Sequence, residues 1–102
     1  YAPFVNGRLF ENFPNGNWAG EMTAYKKIAG SAQTPRVAII NSNTENSGIR
    51  GDYQKMRFGL GNALLFDGFY SFDDGDAHHN QIWWYDEYNV SLGPPVGDVY
   101  NV

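Results

Sequence analysis

Three strand-like stretches, separated by two stretches of helical periodicity, constrain this chain more than any other feature. Arg8-Leu9-Phe10-Glu11-Asn12-Phe13 suits a strand and stops at Pro14. Trp18, Met22, Tyr25 and Ala29 then recur on one helical face, which predicts a helix over about residues 18–29. Asn17 is its expected N-cap, and Gly30 its expected stop. Glu21 lies near its positive end, and Lys26 and Lys27 near its negative end. Arg36-Val37-Ala38-Ile39-Ile40-Asn41 is the clearest strand, with the unbroken apolar run of one covered on both faces. Residues 41–51 are a polar loop, and Asp52 caps a second helix over about 52–66. Tyr53, Met56, Leu60, Ala63 and Leu64 mark that helix's buried face. Gly59 and Gly61 each cost it about 1 kcal/mol relative to Ala, which suggests a close approach to a sheet. After Asp67-Gly68, the run Gly68-Phe69-Tyr70-Ser71-Phe72 is a third strand.

Strands alternating with helices of this length make parallel βαβ units, so the expected class is α/β with order βαβαβ. Three parallel strands leave two open edges and too little area for a well-covered core. With 102 residues, 42% of them apolar, the chain supports one globular domain spanning 1–102. Its last part, 73–102, is an aromatic loop followed by a Gly/Pro-rich tail. The absence of cysteine excludes disulfides, Cys-ligated zinc and a thiol nucleophile. A net charge of −4, with Lys26-Lys27 the only basic cluster, argues against nucleic acid. The longest apolar run, Ala63-Leu64-Leu65-Phe66, is far short of the roughly 20 residues of a membrane span. The chain opens on Tyr1 without a signal-peptide pattern, so it is expected to be processed or a piece of something longer.

In parallel α/β proteins ligands bind at the carboxyl ends of the strands. That rule selects Glu11-Asn12, Asn41-Ser42-Asn43 and the segment Asp73 to His79, all expected on one rim. Trp83, Trp84, Tyr85 and Tyr88 follow and can supply stacking faces. Carboxylates beside aromatic platforms suit sugars, whose rings stack and whose hydroxyls pair with Asp, Glu and Asn. Each feature also has a plainer reading. Glu11 can be a polar strand end, and Asp73–His79 a solvated acidic loop. A metal at Asp73, Asp76 and His78 is a weaker reading, because the spacing matches no strong metal motif. No cofactor is expected. Trp83-Trp84 is expected to be half core and half platform, and Asp86-Glu87 can cap or form salt bridges. Gly59-x-Gly61 lies inside a helix, so a dinucleotide fingerprint fails on context. Asn89-Val90-Ser91 is a glycosylation sequon, meaningful only in a glycosylating host.

The segment Met56-Arg57-Phe58-Gly59-Leu60-Gly61-Asn62-Ala63-Leu64-Leu65-Phe66-Asp67-Gly68-Phe69-Tyr70-Ser71-Phe72-Asp73 runs on to Trp83-Trp84-Tyr85-Asp86-Glu87-Tyr88. Together with the Leu92-Gly93-Pro94-Pro95-Val96-Gly97 turn, it resembles the C-terminal part of a family of hypothetical glycosyl hydrolases with a predicted (β/α)8 barrel. The resemblance is close over 52–97 and looser over 8–41. It implies that the three strands are the last three of a barrel, and that a strand carrying another catalytic carboxylate lies upstream. It places Glu11 as general acid/base, with Asp73 and Glu87 as supporting carboxylates. It makes Asn41, Asp86, Trp83, Trp84 and Tyr88 substrate contacts, and it favours an extracellular or periplasmic setting for the parent family. The implied partners are a carbohydrate and either further copies or the remainder of a barrel. The alternative is a non-catalytic binding or assembly module whose aromatic C-terminal segment forms an oligomer interface. Exposed tryptophans beside Glu11 favour sugar binding; the same pair buried against another subunit favours assembly.

Overall fold

The computed structural model describes residues 2–81 and 83–100; Tyr1, Ile82, Asn101 and Val102 lie outside them. Its elements are β1 (Gly7–Phe10), α1 (Trp18–Ser31), β2 (Val37–Asn43), α2 (Tyr53–Leu64) and β3 (Phe69–Asp73). Short 3-10 turns occupy Ala2–Phe4 and Asp86–Asn89. The strands form one parallel sheet in the order β1-β2-β3, the expected βαβαβ arrangement. No described helix is long and apolar enough to cross a membrane.

The caps act as their sequence suggests. The Asn17 side chain accepts from the Gly20 amide, and that of Asp52 from the Lys55 amide at 3.2 Å. The helix faces differ in detail from the expected ones. Met22, Tyr25 and Ile28 are the buried stripe of α1, while Trp18 is 48% exposed. Its indole N–H needs an acceptor and finds Asn62 Oδ1 on α2 at 2.9 Å, which ties the two helices together. The first helix also runs past Gly30 to Ser31. It stops where Ala32 turns extended and enters the core. On α2, Tyr53 and Leu64 are exposed, and Gly59, Asn62 and Ala63 join Met56 inside. Gly59 is there for the reason expected. A Cβ at that position would collide with Tyr70 Oη and Ser42 Oγ on the sheet, whereas one at Gly61 would meet nothing.

The strand β2 is longer than its apolar run. Ser42 and Asn43 stay in the ladder because their polar groups are satisfied, with Ser42 Oγ donating to the Phe13 carbonyl at 2.8 Å. A larger correction concerns coverage. A strand covered on both faces was expected, yet Val37 is exposed and Ile39 only half-buried. Right-handed crossovers between strands laid down in sequential order place both helices on the same side of the sheet. That side holds the main core of Phe10, Tyr25, Ile28, Ala38 and Ile40, and a second cluster of Met56, Phe72 and Tyr85. The other side carries Leu9, Ile39 and Phe69, which lie in register across the three strands. Leu9 is 51% and Phe69 62% exposed. The accessible surface is 7175 Å², against about 5,800 Å² for a compact protein of 11.5 kDa. The uncovered face and the extended tail account for this excess in kind.

Candidate functional site

Alternation along the strands fixes what stands on the open face. Tyr70 and Phe72 point to the helices, so Phe69, Ser71 and Asp73 point away from them. Moving toward the carboxyl ends, the open face changes from apolar to polar. The row Leu9–Ile39–Phe69 gives way to Asn41–Ser71 and then to Asn43–Asp73. Asn41 Nδ2 donates to Ser71 Oγ at 2.9 Å and to Asp73 Oδ2 at 3.1 Å, so one amide locks β2 to β3 at the rim. Asp73 is half-buried. Its Oδ2 lies 3.8 Å from His79 Nδ1, while its Oδ1 is buried and makes no hydrogen bond among the described residues.

The neighbouring part of the rim is built around Asn43. Its Nδ2 donates to Asn12 Oδ1, and its Oδ1 accepts from the Glu45 amide at 2.9 Å. Asn12 sits at φ 57°, where the chain leaves β1, and the Phe13 amide returns to the Asn41 carbonyl at 2.7 Å. A cavity of about 330 Å³ opens here, lined by Asn12, Asn15, Asn43, Glu45, Lys55 and Asp76 among others. Lys55 Nζ lies 3.2 Å from Glu45 Oε1 within it. The rim thus offers amides, carboxylates and one ammonium at the carboxyl ends of β1 and β2. Glu11 stands exposed just past β1, with no side-chain hydrogen bond or ion pair among the described residues.

The acidic loop after β3 is not simply solvated. Asp74 is 6% exposed and acts as a buried anchor. Its Oδ1 accepts from Thr44 Oγ1 at 2.7 Å and from the Gly48 amide at 2.6 Å. Its Oδ2 lies 3.2 Å from His78 Nδ1. The Thr44 hydroxyl above all, with help from the Gly48 amide and His78, holds the Asp74 carboxyl below its ordinary value against the opposing effect of burial. A run of aspartates suggests solvent, but the Thr44 hydroxyl and the Gly48 amide bring the means to bury one of them. Asp73, Asp76 and His78 do not converge; no group of three metal-capable side chains gathers among the described residues.

The aromatic segment lies elsewhere. Trp83 packs on Phe72 with ring centroids 6.0 Å apart, and Tyr88 stands edge-on to Tyr70 at 6.2 Å. Both contacts are with the helix-facing side chains of β3. Glu87 Oε1 pairs with Arg57 of α2, 2.6 Å from Nε and 2.5 Å from Nη2. This pairing adds to a backbone hydrogen bond in holding the Glu87 carboxyl below its usual range. Asp86 is exposed beside it, and Trp84 is 60% exposed. The residues singled out by sequence therefore divide into two groups. Asn41 and Asp73 share the open rim, with Glu11 at its β1 end. Trp83, Trp84, Asp86, Glu87 and Tyr88 lie on the helix side of β3, at the edge of the sheet opposite β1. The tryptophans do not lie beside Glu11, and Trp84 is exposed in the single chain. The carboxyl-end rule selects Asn12 and, within the Asp73 to His79 segment, Asp74. Sequence reasoning passed over Ser71, whose signal was its alternation with Asp73 on the same strand.

A family model described as hypothetical glycosyl hydrolase family 15 matches residues 3–102. Neither a curated protein nor a solved structure matches the chain.

Proposed function

The chain belongs to hypothetical glycosyl hydrolase family 15, and from that premise we propose that it supplies part of a carbohydrate site at the carboxyl rim of an incomplete (β/α) barrel. The observation that carries this reading is the polar row Asn41–Ser71–Asp73 on the uncovered face of the sheet, directly beyond an in-register apolar row. In a closed barrel the apolar row would be interior packing and the polar row the floor of the site. The buried Asp73 Oδ1, with no donor from the described residues, suits a sugar hydroxyl.

In this proposal Glu11 is the general acid/base. As an acid it protonates the glycosidic oxygen as the bond to the anomeric carbon breaks, while a second carboxylate removes a proton from the attacking water. Asp73 contributes from the other side of the row. Glu87 supports the site from behind, by holding Arg57 and hence α2. Turnover requires the remaining strands of the barrel, and their natural seat is the open face and the two free edges. Further copies of the chain are the other occupant of that face. An assembly module without catalysis would rest on the same exposed Leu9–Ile39–Phe69 row rather than on the aromatic tail.

The test is sugar binding, followed by product release in the presence of the partner strands. Asn41→Ala and Asp73→Asn are expected to abolish rim binding, and Glu11→Gln to lower any hydrolysis by about 10²–10⁴-fold without weakening binding. Unchanged turnover in Glu11→Gln removes that residue from the chemistry. Unchanged binding in both rim variants removes the rim.

A further inference from the structure

On the helix side of β3, beside the N-terminus of α2, lies a groove of about 510 Å³ whose lining includes Arg50, Tyr53, Arg57, Trp84, Asp86 and Glu87. It is assembled by specific contacts. Arg50 Nη2 donates to the Trp84 carbonyl at 3.0 Å, and Tyr85 Oη donates to the Arg50 carbonyl at 2.8 Å. The Trp84 ring is steadied by Tyr88, edge-on at 5.4 Å, yet remains largely exposed. Tyr53 is held between Tyr85, edge-on at 6.0 Å, and the Arg57 guanidinium, 5.2 Å from its ring centre. Two exposed aromatic rings are thus fixed in place, with planar hydrogen-bonding groups at their margins. Such a surface matches the apolar faces and hydroxyl edges of a sugar chain.

The charges narrow the ligand further. The groove holds two arginines and two carboxylates. One pair, Arg57–Glu87, is closed on itself. Nothing in that balance selects an anion. We propose that this groove is a second, non-catalytic binding site for an uncharged oligosaccharide, separate from the rim. The inference rests on the carbohydrate reading of the chain but not on the rim residues. It reassigns Trp84 and Asp86 from the reaction centre to a surface that holds the polymer beside it.

The experiment is calorimetric titration of the full chain with cellohexaose, xylohexaose, mannohexaose and maltohexaose, with hexagalacturonate as the anionic comparator. At least one neutral hexasaccharide is expected to bind in the groove, at least tenfold more weakly to Trp84→Ala and nearly unchanged to Trp84→Phe, while Asn41→Ala is expected to remove only the rim's share of the binding. Arg50→Ala, which leaves both rings in place, is expected to weaken it less than Trp84→Ala. Binding removed by Asn41→Ala but insensitive to Trp84→Ala overturns the groove and leaves the rim intact. Binding sensitive only to Trp84→Ala supports the groove whatever becomes of the rim. Preference for hexagalacturonate, or affinity that falls steeply with salt, overturns the neutral ligand. No binding of any hexasaccharide overturns the groove, and the rim variants with partner strands then test the rim separately.

Discussion

The two faces of the sheet are made by the same three strands and could hardly differ more. On one, Phe10, Ala38 and Ile40 are shut in by α1 and α2, and Phe72 by α2 and the aromatic segment. On the other, Leu9, Ile39 and Phe69 line up in register with no helix against them. Nothing in residue type separates the two sets, since both are apolar. Topology separates them, because same-handed crossovers send both helices to one side. Folding of the chain therefore completes one face and leaves the other open, with Leu9 and Phe69 exposed.

Substitutions on the two faces sharpen or break this contrast. The largest expected effect is Ile40→Ala, a fully buried truncation, at about 2–5 kcal/mol by chemical denaturation. Phe69→Ala is expected to change the stability of the dilute chain by no more than about 0.5 kcal/mol. Equal losses in both would mean that the faces are not distinct. Next come the two glycines of α2. Gly59→Ala is expected to cost about 1–3 kcal/mol, because Tyr70 and Ser42 must give way. Gly61→Ala is expected to gain up to about 1 kcal/mol in the same melts, because its Cβ meets nothing.

The smallest effects are those of pH. Burial pushes the Tyr25 phenol up to about 12 from 10.0, so the folded state holds that proton more tightly than the unfolded chain. Its contribution is complete below pH 10.0 and declines as pH rises toward 12. Tyr25→Phe is expected to flatten that alkaline decline. Asp74 titrates the opposite way. Its lowered pKa favours the fold above the ordinary carboxylate range, and the benefit is lost as pH falls through the folded value. The exchange of the Gly48 amide, which donates to Asp74, should quicken in acid before the core amides do. An acid response led by the core would contradict Asp74 as the loop's anchor.

Much of the fold was legible in the sequence because local signals and tertiary structure agree. Asn17 and Asp52 cap where expected, and Val37–Ile40 form the central strand. The misreadings share one cause. Coverage of Ile39, the exposure of Trp18 and the burial of Asp74 depend on partners distant in sequence: same-side crossovers, Asn62 on α2, and Thr44 with Gly48. The candidate site was half legible. The carboxyl-end rule finds Asn41 and Asp73 together. It does not reveal that Trp83 to Tyr88 follow the helix-facing side of β3, since that is decided by which side of the strand Phe72 and Tyr70 occupy.

Whether the open face is an unfinished barrel lining is tested most directly by sedimentation velocity of the chain over a wide concentration range. The account predicts a mass that climbs above 11.5 kDa as concentration rises, as copies bury the Leu9–Ile39–Phe69 row. A compact 11.5 kDa particle at every concentration would contradict it.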